Sequence, residues 1–213
     1  MKMVGSLEIP ETLADLCRPD RMALVVYDMQ VGIVRQMKDG TAIMQRVATV
    51  LEAARKNGFR VIFLRHMSMP KELMGAFQYR QAMTWQGKAD PGDVHPWFLR
   101  GSAGFEIVPE LAPRPSEAII DKITFSAFEG TPLAIVLRDC SLNAFAICGI
   151  ATEIGIEPTV RHGADLGLIP VVVRDACGAG DAEAGERSIA NITFMADAVV
   201  TDVAAVTTAM SGH

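Results

Sequence analysis

Short apolar runs alternate along the chain with longer stretches of helical spacing. Residues 22–28 (MALVVYD) are apolar without interruption and end on a polar residue, the pattern of a strand buried on both faces. Residues 41–58 carry apolar positions at helical spacing and close on Lys-Asn-Gly, which predicts a helix with a glycine stop. The next strands are predicted over 59–66, 117–122, 143–150, 168–176 and 197–202. Helices are predicted over 131–140, 153–167 and 181–195, with a short one over 203–210. Pro170 falls at the start of its strand, where proline is tolerated. Asp181, after a Gly-Ala-Gly turn, is placed to cap the helix behind it. Residues 67–116 are polar, aromatic and weakly periodic. Short helices are expected near 71–85, followed by a meandering segment of the kind that serves a function when it occurs in a compact domain.

Six strands with intervening helices predict an α/β fold: a six-stranded parallel sheet with helices on both faces and right-handed crossovers. No internal repeat or low-complexity linker divides the 213 residues, so the expectation is a single domain over 1–213. No apolar run approaches the ~20 residues of a membrane span, and the N-terminal residues lack an apolar signal core. A cytoplasmic protein with no membrane partner is therefore expected. The net charge of −5 comes without any Lys/Arg cluster, which argues against nucleic acid. None of the four cysteines is spaced C-x-x-C, and they read as reduced thiols.

Candidate chemistry stands at the strand ends. Asp28 ends the first run, and Lys122 ends the third (AIIDK). The text CGIATEIGI, from Cys148 to Ile156, joins the fourth strand to its helix. In open α/β sheets, ligands bind beyond the carboxyl ends of strands where strand order reverses. An Asp delivered there by an apolar strand is raised in pKa by burial and lowered by a neighbouring ammonium, a balance that suits a general acid or base. A Lys beside it can hold the carboxylate or stabilise negative charge on substrate. Each of the two also has a plain reading, as a turn cap and as a snorkelling surface lysine.

Together, YDMQ, DKITFSAFEGTPL and GIATEIG resemble the isochorismatase-like hydrolase superfamily, which includes cysteine hydrolases such as nicotinamidase and N-carbamoylsarcosine amidase. The resemblance spans roughly 20–202. It implies a Rossmann-like three-layer αβα fold with strand order 3-2-1-4-5-6. It also implies a non-proline cis peptide near Ile150-Ala151 and an Asp, Lys, Cys triad on these segments. Here the cysteine position holds Gly155. That removes the thiolate that covalent catalysis needs, and it is expected to leave room for a ring. Cys148 lies inside a strand; Cys177 is the remaining candidate for a displaced nucleophile.

The isochorismatase branch of the superfamily resembles this chain in having Gly at that point. Its members cleave a vinyl ether, with the Asp protonating carbon and water adding afterwards. They carry His where this chain has Glu153, and aromatic residues where Ile123 and Phe125 follow the Lys. Catalytic roles are accordingly expected for Asp28, Lys122 and Gly155, and substrate contacts for Ile150, Ala151, Ile154, His66 and Phe125. Arg65, Arg80 and Arg100 are candidate partners for a substrate carboxylate. Of the four histidines none pair at metal-ligand spacing, so neither metal nor cofactor is expected. Three readings stay open: a cysteine-independent vinyl-ether hydrolase, an amide or ureido hydrolase with water activated by Asp28, and a binding protein that keeps the pocket. The partners expected are a small-molecule substrate and further copies of the chain, as a homo-oligomer (dimer or tetramer), with residues 77–98 covering a neighbour's site.

Overall fold

The computed structural model describes residues 1–212. It begins with a feature the hydrophobic pattern does not announce. Strands β1 (Lys2–Val4) and β2 (Leu7–Ile9) pair antiparallel as a hairpin in which every residue is exposed. A turn of helix, α1 (Leu13–Leu16), follows. It is capped by Thr12 and Asp15 in a reciprocal box, Asp15 N–H donating to Thr12 Oγ1 and Thr12 N–H to the Asp15 carboxylate.

The remaining elements run β3 (Met22–Tyr27), α2 (Val31–Val34), α3 (Gly40–Lys56), β4 (Arg60–His66), α4 (Ala76–Gln86), β5 (Ala118–Lys122), α5 (Leu133–Asp139), β6 (Ala144–Ile150), α6 (Glu157–Asp165), β7 (Ile169–Gly178), α7 (Ala182–Met195), β8 (Val199–Thr201) and α8 (Val203–Met210). A π-helical turn, Thr152–Ile156, leads directly into α6. β3 to β8 form one parallel sheet in the order β5-β4-β3-β6-β7-β8, the order that the resemblance implies.

All six residues of β3 are buried, and they alternate between two cores. Met22, Leu24 and Val26 face Val47, Val50 and Leu51 of α3 and Val206 and Met210 of α8. Ala23, Val25 and Tyr27 face Leu133 and Leu137 of α5, Val160 of α6, and Ile189 and Ile192 of α7. This explains the unbroken apolar runs: a central strand covered on both faces has no solvent side to mark with polar residues. β7 runs two residues past its predicted end, taking in Cys177 and Gly178, which pair with Gly149 and Ile150 of β6. Asp181 caps α7 by accepting from Ala184 N–H at 2.8 Å. Among the described residues no helix is long and apolar enough to cross a membrane.

Strand order reverses between β3 and β6, where Tyr27 sits in register with Gly149. The two strands crowd there. Gly149 has φ 131°, and a Cβ on it would collide with the Tyr27 backbone, 2.8 Å from its carbonyl carbon. Only glycine fits, and its absence of side chain lets the two strand ends open one cleft between them.

Candidate active site

Asp28 is the first residue past β3 and has φ 47°, a left-handed conformation that Asp tolerates better than most residues. Gln30 fixes the chain beyond it. Its buried amide donates to His66 O at 3.0 Å and Phe105 O at 2.9 Å, and its Oε1 accepts from His66 N–H at 2.6 Å. One side chain thus ties the ends of β3 and β4 to the loop at 105.

Lys122, the last residue of β5, reaches under this corner. Its ammonium donates to Asp28 Oδ2 at 2.7 Å and to Thr124 O at 3.2 Å, and lies 4.3 Å from the centre of the Tyr27 ring. Both partners are buried, Asp28 at 5% exposure and Lys122 at 3%. Asp28 Oδ1 is also buried and meets no hydrogen-bond partner among the described residues. Burial pushes the Asp28 carboxyl above its ordinary pKa, with the Lys122 charge opposing. Burial pulls the Lys122 ammonium below its ordinary value, with Asp28 opposing. Desolvation is the larger influence on both, so this ion pair is held at a cost to folding rather than as a source of stability. Such perturbed pairs in clefts mark functional sites.

The cleft is a cavity of about 1080 Å³. Of the residues expected at the site, Asp28, Lys122, His66, Phe125, Ile150, Ala151 and Ile154 all line it. The Ile150–Ala151 peptide bond is cis. Burial, and secondarily the Lys122 charge, lowers His66 to a pKa of about 3, so its imidazole is neutral at ordinary pH. Its ring meets Phe98 edge-on at 5.9 Å.

Gly155 is the exception. It is buried and is not part of the cavity lining. A Cβ on Gly155 would fall inside the envelope of the Tyr27 phenol, 2.5 Å from ring carbon Cε1. The volume expected to be vacant for a ring of the substrate is therefore filled by a ring of the protein. Two backbone donors of this turn are engaged: Gly155 N–H and Ile156 N–H both donate to Ala151 O, at 3.0 and 3.1 Å. Glu153 stitches the turn to the start of α7, its Oε1 accepting from Gly180 N–H at 2.7 Å and Asp181 N–H at 3.1 Å.

The cationic candidates are placed elsewhere. Arg65 is bound to Asp121 at 2.8 Å and stacks over Phe105, and Arg100 also pairs with Asp121, at 3.0 Å. Neither they nor Arg80 line the cavity; Lys38, Arg46 and Arg174 do. Arg46 donates to Asp175 O at 3.1 Å, and Arg174 pairs with Glu186 at 2.6 Å. Cys148 is fully buried, and desolvation raises its thiol to about 12. Cys177 lines the cavity, but burial holds its pKa well above the ordinary thiol value and its Sγ points at Ile147 O, 3.8 Å away. A protonated, inward-turned thiol is a poor nucleophile, so the displaced-nucleophile reading loses its support. Among the described residues no three His, Cys, Asp or Glu side chains gather as a metal site.

Tyr27 and Gln30 belong to the site or its support and carry no role in the sequence reading, while Trp85, Trp97 and Phe98, within the 77–98 segment expected to cover a neighbour's site, line this chain's own cavity. Trp85 and Trp97, roughly half-exposed, wall the cavity beside Phe125 and Phe98, with ring centres 6.3 and 6.2 Å apart. The available signal was the aromatic character of the irregular segment.

The Isochorismatase domain model matches residues 22–205. The chain belongs to the isochorismatase family. Ureidoacrylate amidohydrolase RutB of Cronobacter turicensis is 27% identical over 191 residues, covering 83% of this chain and 82% of that protein. An uncharacterised isochorismatase family protein, YecD of Escherichia coli O157:H7, is 30% identical over 176 residues, covering 80% and 86%. Among solved structures, a cysteine hydrolase from Pseudomonas syringae pv. phaseolicola superposes with a TM-score of 0.77 at 26% identity, covering 91% of this chain and 93% of that one. The protein is an isochorismatase-family hydrolase.

Proposed function

We propose that this isochorismatase-family hydrolase works without a covalent intermediate, with Asp28 as the general acid and Lys122 as its electrostatic partner, on a vinyl ether or a related enol ether. The observation that carries this reading is the asymmetry of the Asp28 carboxyl. One oxygen is held by Lys122, the other is buried and meets no hydrogen-bond partner among the described residues, and Asp28 lines the cavity. With the space a side chain at 155 would take filled by the Tyr27 phenol, the reading puts the reactive proton on Oδ1.

Burial raises the carboxyl pKa, which favours the acid form that a general acid requires. In the step proposed, the proton passes from Oδ1 to the terminal vinyl carbon, a C–H bond forms, and the ether oxygen shares the positive charge of an oxocarbenium ion. Lys122 stabilises the carboxylate left behind. Water adds to the cation and returns a proton to Asp28. The hemiketal then collapses to a ketone and an alcohol. The aromatic wall of Trp85, Trp97, Phe98 and Phe125 suits an unsaturated ring as the alcohol portion.

A second reading has its own support. The relative named ureidoacrylate amidohydrolase, together with the Thr152-Glu153 text, favours an amide or ureido substrate with Asp28 as base toward water. The test is incubation with two substrate sets, vinyl ethers and small amides or ureido acids, with products read by mass spectrometry and Asp28→Asn as blank. Asp28-dependent vinyl-ether cleavage supports the first reading, and Asp28-dependent amide cleavage alone overturns it. We also infer a homo-oligomer, on the exposure of Phe77 at 66% outside the cavity; a monomeric mass by sedimentation contradicts this.

A further inference from the structure

Gly155 has no conformational reason to be glycine. Its φ is not positive, unlike that of seven other glycines, and it lies in a helical turn, where glycine is less favourable than alanine by about 1 kcal/mol. What demands glycine is space. A Cβ at 155 would meet Tyr27 Oη, Cζ and Cε1, and all three are closer than carbon atoms approach. Tyr27 in turn is not loose filler. It is 2% exposed, its hydroxyl donates to Phe125 O, and its ring face carries the Lys122 ammonium at 4.3 Å.

We propose that Tyr27 and Gly155 are an exchanged pair: the phenol takes the volume of a side chain at 155 and, from there, acts as the positioning residue that holds Lys122 against Asp28. The hydroxyl pins the segment after β5 through Phe125 O, while the ring supplies an electron-rich floor for the ammonium. Lys122 is then fixed from three sides, by the Asp28 carboxylate, the Thr124 carbonyl and the Tyr27 ring. His66 is the other titratable group that feels the Lys122 charge, and that imidazole is neutral. A consequence is that Gly155→Cys alone cannot restore a cysteine site, because the introduced side chain has no room while Tyr27 is present.

The pair is tested by a double-mutant cycle in thermal unfolding. In the parent, Gly155→Ala overpacks a buried contact and is expected to lower Tm by about 3–10 °C. In a Tyr27→Val background the same change is expected to shift Tm by less than about 2 °C, because the space is then open. Equal losses in both backgrounds overturn the exchange. The positioning role is tested by 13C NMR titration of the Asp28 carboxyl in the resting protein. Tyr27→Leu removes the ring face and is expected to raise the Asp28 pKa by about half a unit or more as its partner loosens. Tyr27→Phe keeps the ring and loses only the hydroxyl's hold on Phe125 O, and is expected to move the Asp28 pKa less than half as far as Tyr27→Leu does. If Tyr27→Leu leaves the titration unmoved, or Tyr27→Phe moves it as far, the ring does not position Lys122. The role assigned to Lys122 rests on the reading of Asp28 as the acid. Both measurements are made without substrate, so a failed turnover assay and a failed positioning arm are told apart.

Discussion

Replacing Lys122 by Met removes the ammonium and keeps most of the stem, leaving a buried carboxyl with neither oxygen paired. Asp28 is 5% exposed and Lys122 supplies its ion pair at 2.7 Å, so in the Lys122→Met variant the cheapest way to fold is with Asp28 protonated. Keeping a carboxyl of ordinary pKa about 3.9 protonated costs about 1.4 kcal/mol for each pH unit above that value, or about 4 kcal/mol at pH 7 and about 1.5 at pH 5. These figures are a ceiling, because a Met in place of a desolvated ammonium returns part of the loss. The direction follows from proton binding. A carboxyl with its folded pKa raised binds more protons folded than unfolded, so stability is lost as pH rises from about 4 through the folded pKa. Urea unfolding of parent and variant at pH 5, 6 and 7 reads this directly. The variant is expected to fall further below the parent at each higher pH. The Asp28→Asn/Lys122→Met double variant, with no titrating group, is expected to recover most of the loss at pH 7; Asn tolerates the left-handed backbone at 28. A loss that is equal at pH 5 and pH 7, or a double variant as unstable as the single, refutes the claim that a desolvated carboxyl drives the effect.

Three further outcomes follow from the same geometry. Gln30→Leu strands a buried N–H and two carbonyls and is expected to cost about 2–4 kcal/mol in denaturant unfolding, with a rise in proteolysis of the 98–108 loop. Cys177→Ala is expected to retain turnover, and turnover of the parent is expected to be insensitive to iodoacetamide, since burial keeps the Cys177 thiol protonated; loss of the parent's activity on alkylation contradicts this. The pH profile of kcat/KM is expected to fall about tenfold per unit once pH exceeds the raised pKa of Asp28, because the acid form is the active one. A profile that rises through that pKa fits Asp28 as a base. His66, titrating at about 3, is expected to add no inflection near pH 6 to 7.

The buried strands were legible because a strand must be apolar where it is covered on both faces: β3 and β6 are apolar along their whole length, β4 over 61–64 and β7 over 169–173. Asp28 and Lys122 were legible because a charged residue ends each apolar strand there. Tyr27 was not. One residue earlier in β3, it reads as one more core side chain, and its meeting with Gly155 spans 128 positions of sequence that only the sheet brings together. The same long-range dependence hid the fate of the arginines: Arg65 and Arg100 converge on Asp121 across the β4–β5 pairing instead of entering the cleft. The N-terminal hairpin went unread because it buries none of its own residues, so no alternation marks it. Trp85 and Trp97 come from a segment with weak periodicity, and their placement is set by the cavity they wall.

The measurement closest to the central claim is vinyl-ether hydrolysis in deuterated water, with the ketone product read by mass spectrometry and NMR. If Asp28 delivers a solvent-exchanged proton to carbon, each product molecule carries one new C–D bond at the former vinyl carbon. Asp28→Asn is then expected to slow the reaction by about 10²–10⁴-fold. Cleavage that places no deuterium on carbon, or that proceeds at the parent rate in Asp28→Asn, contradicts the account.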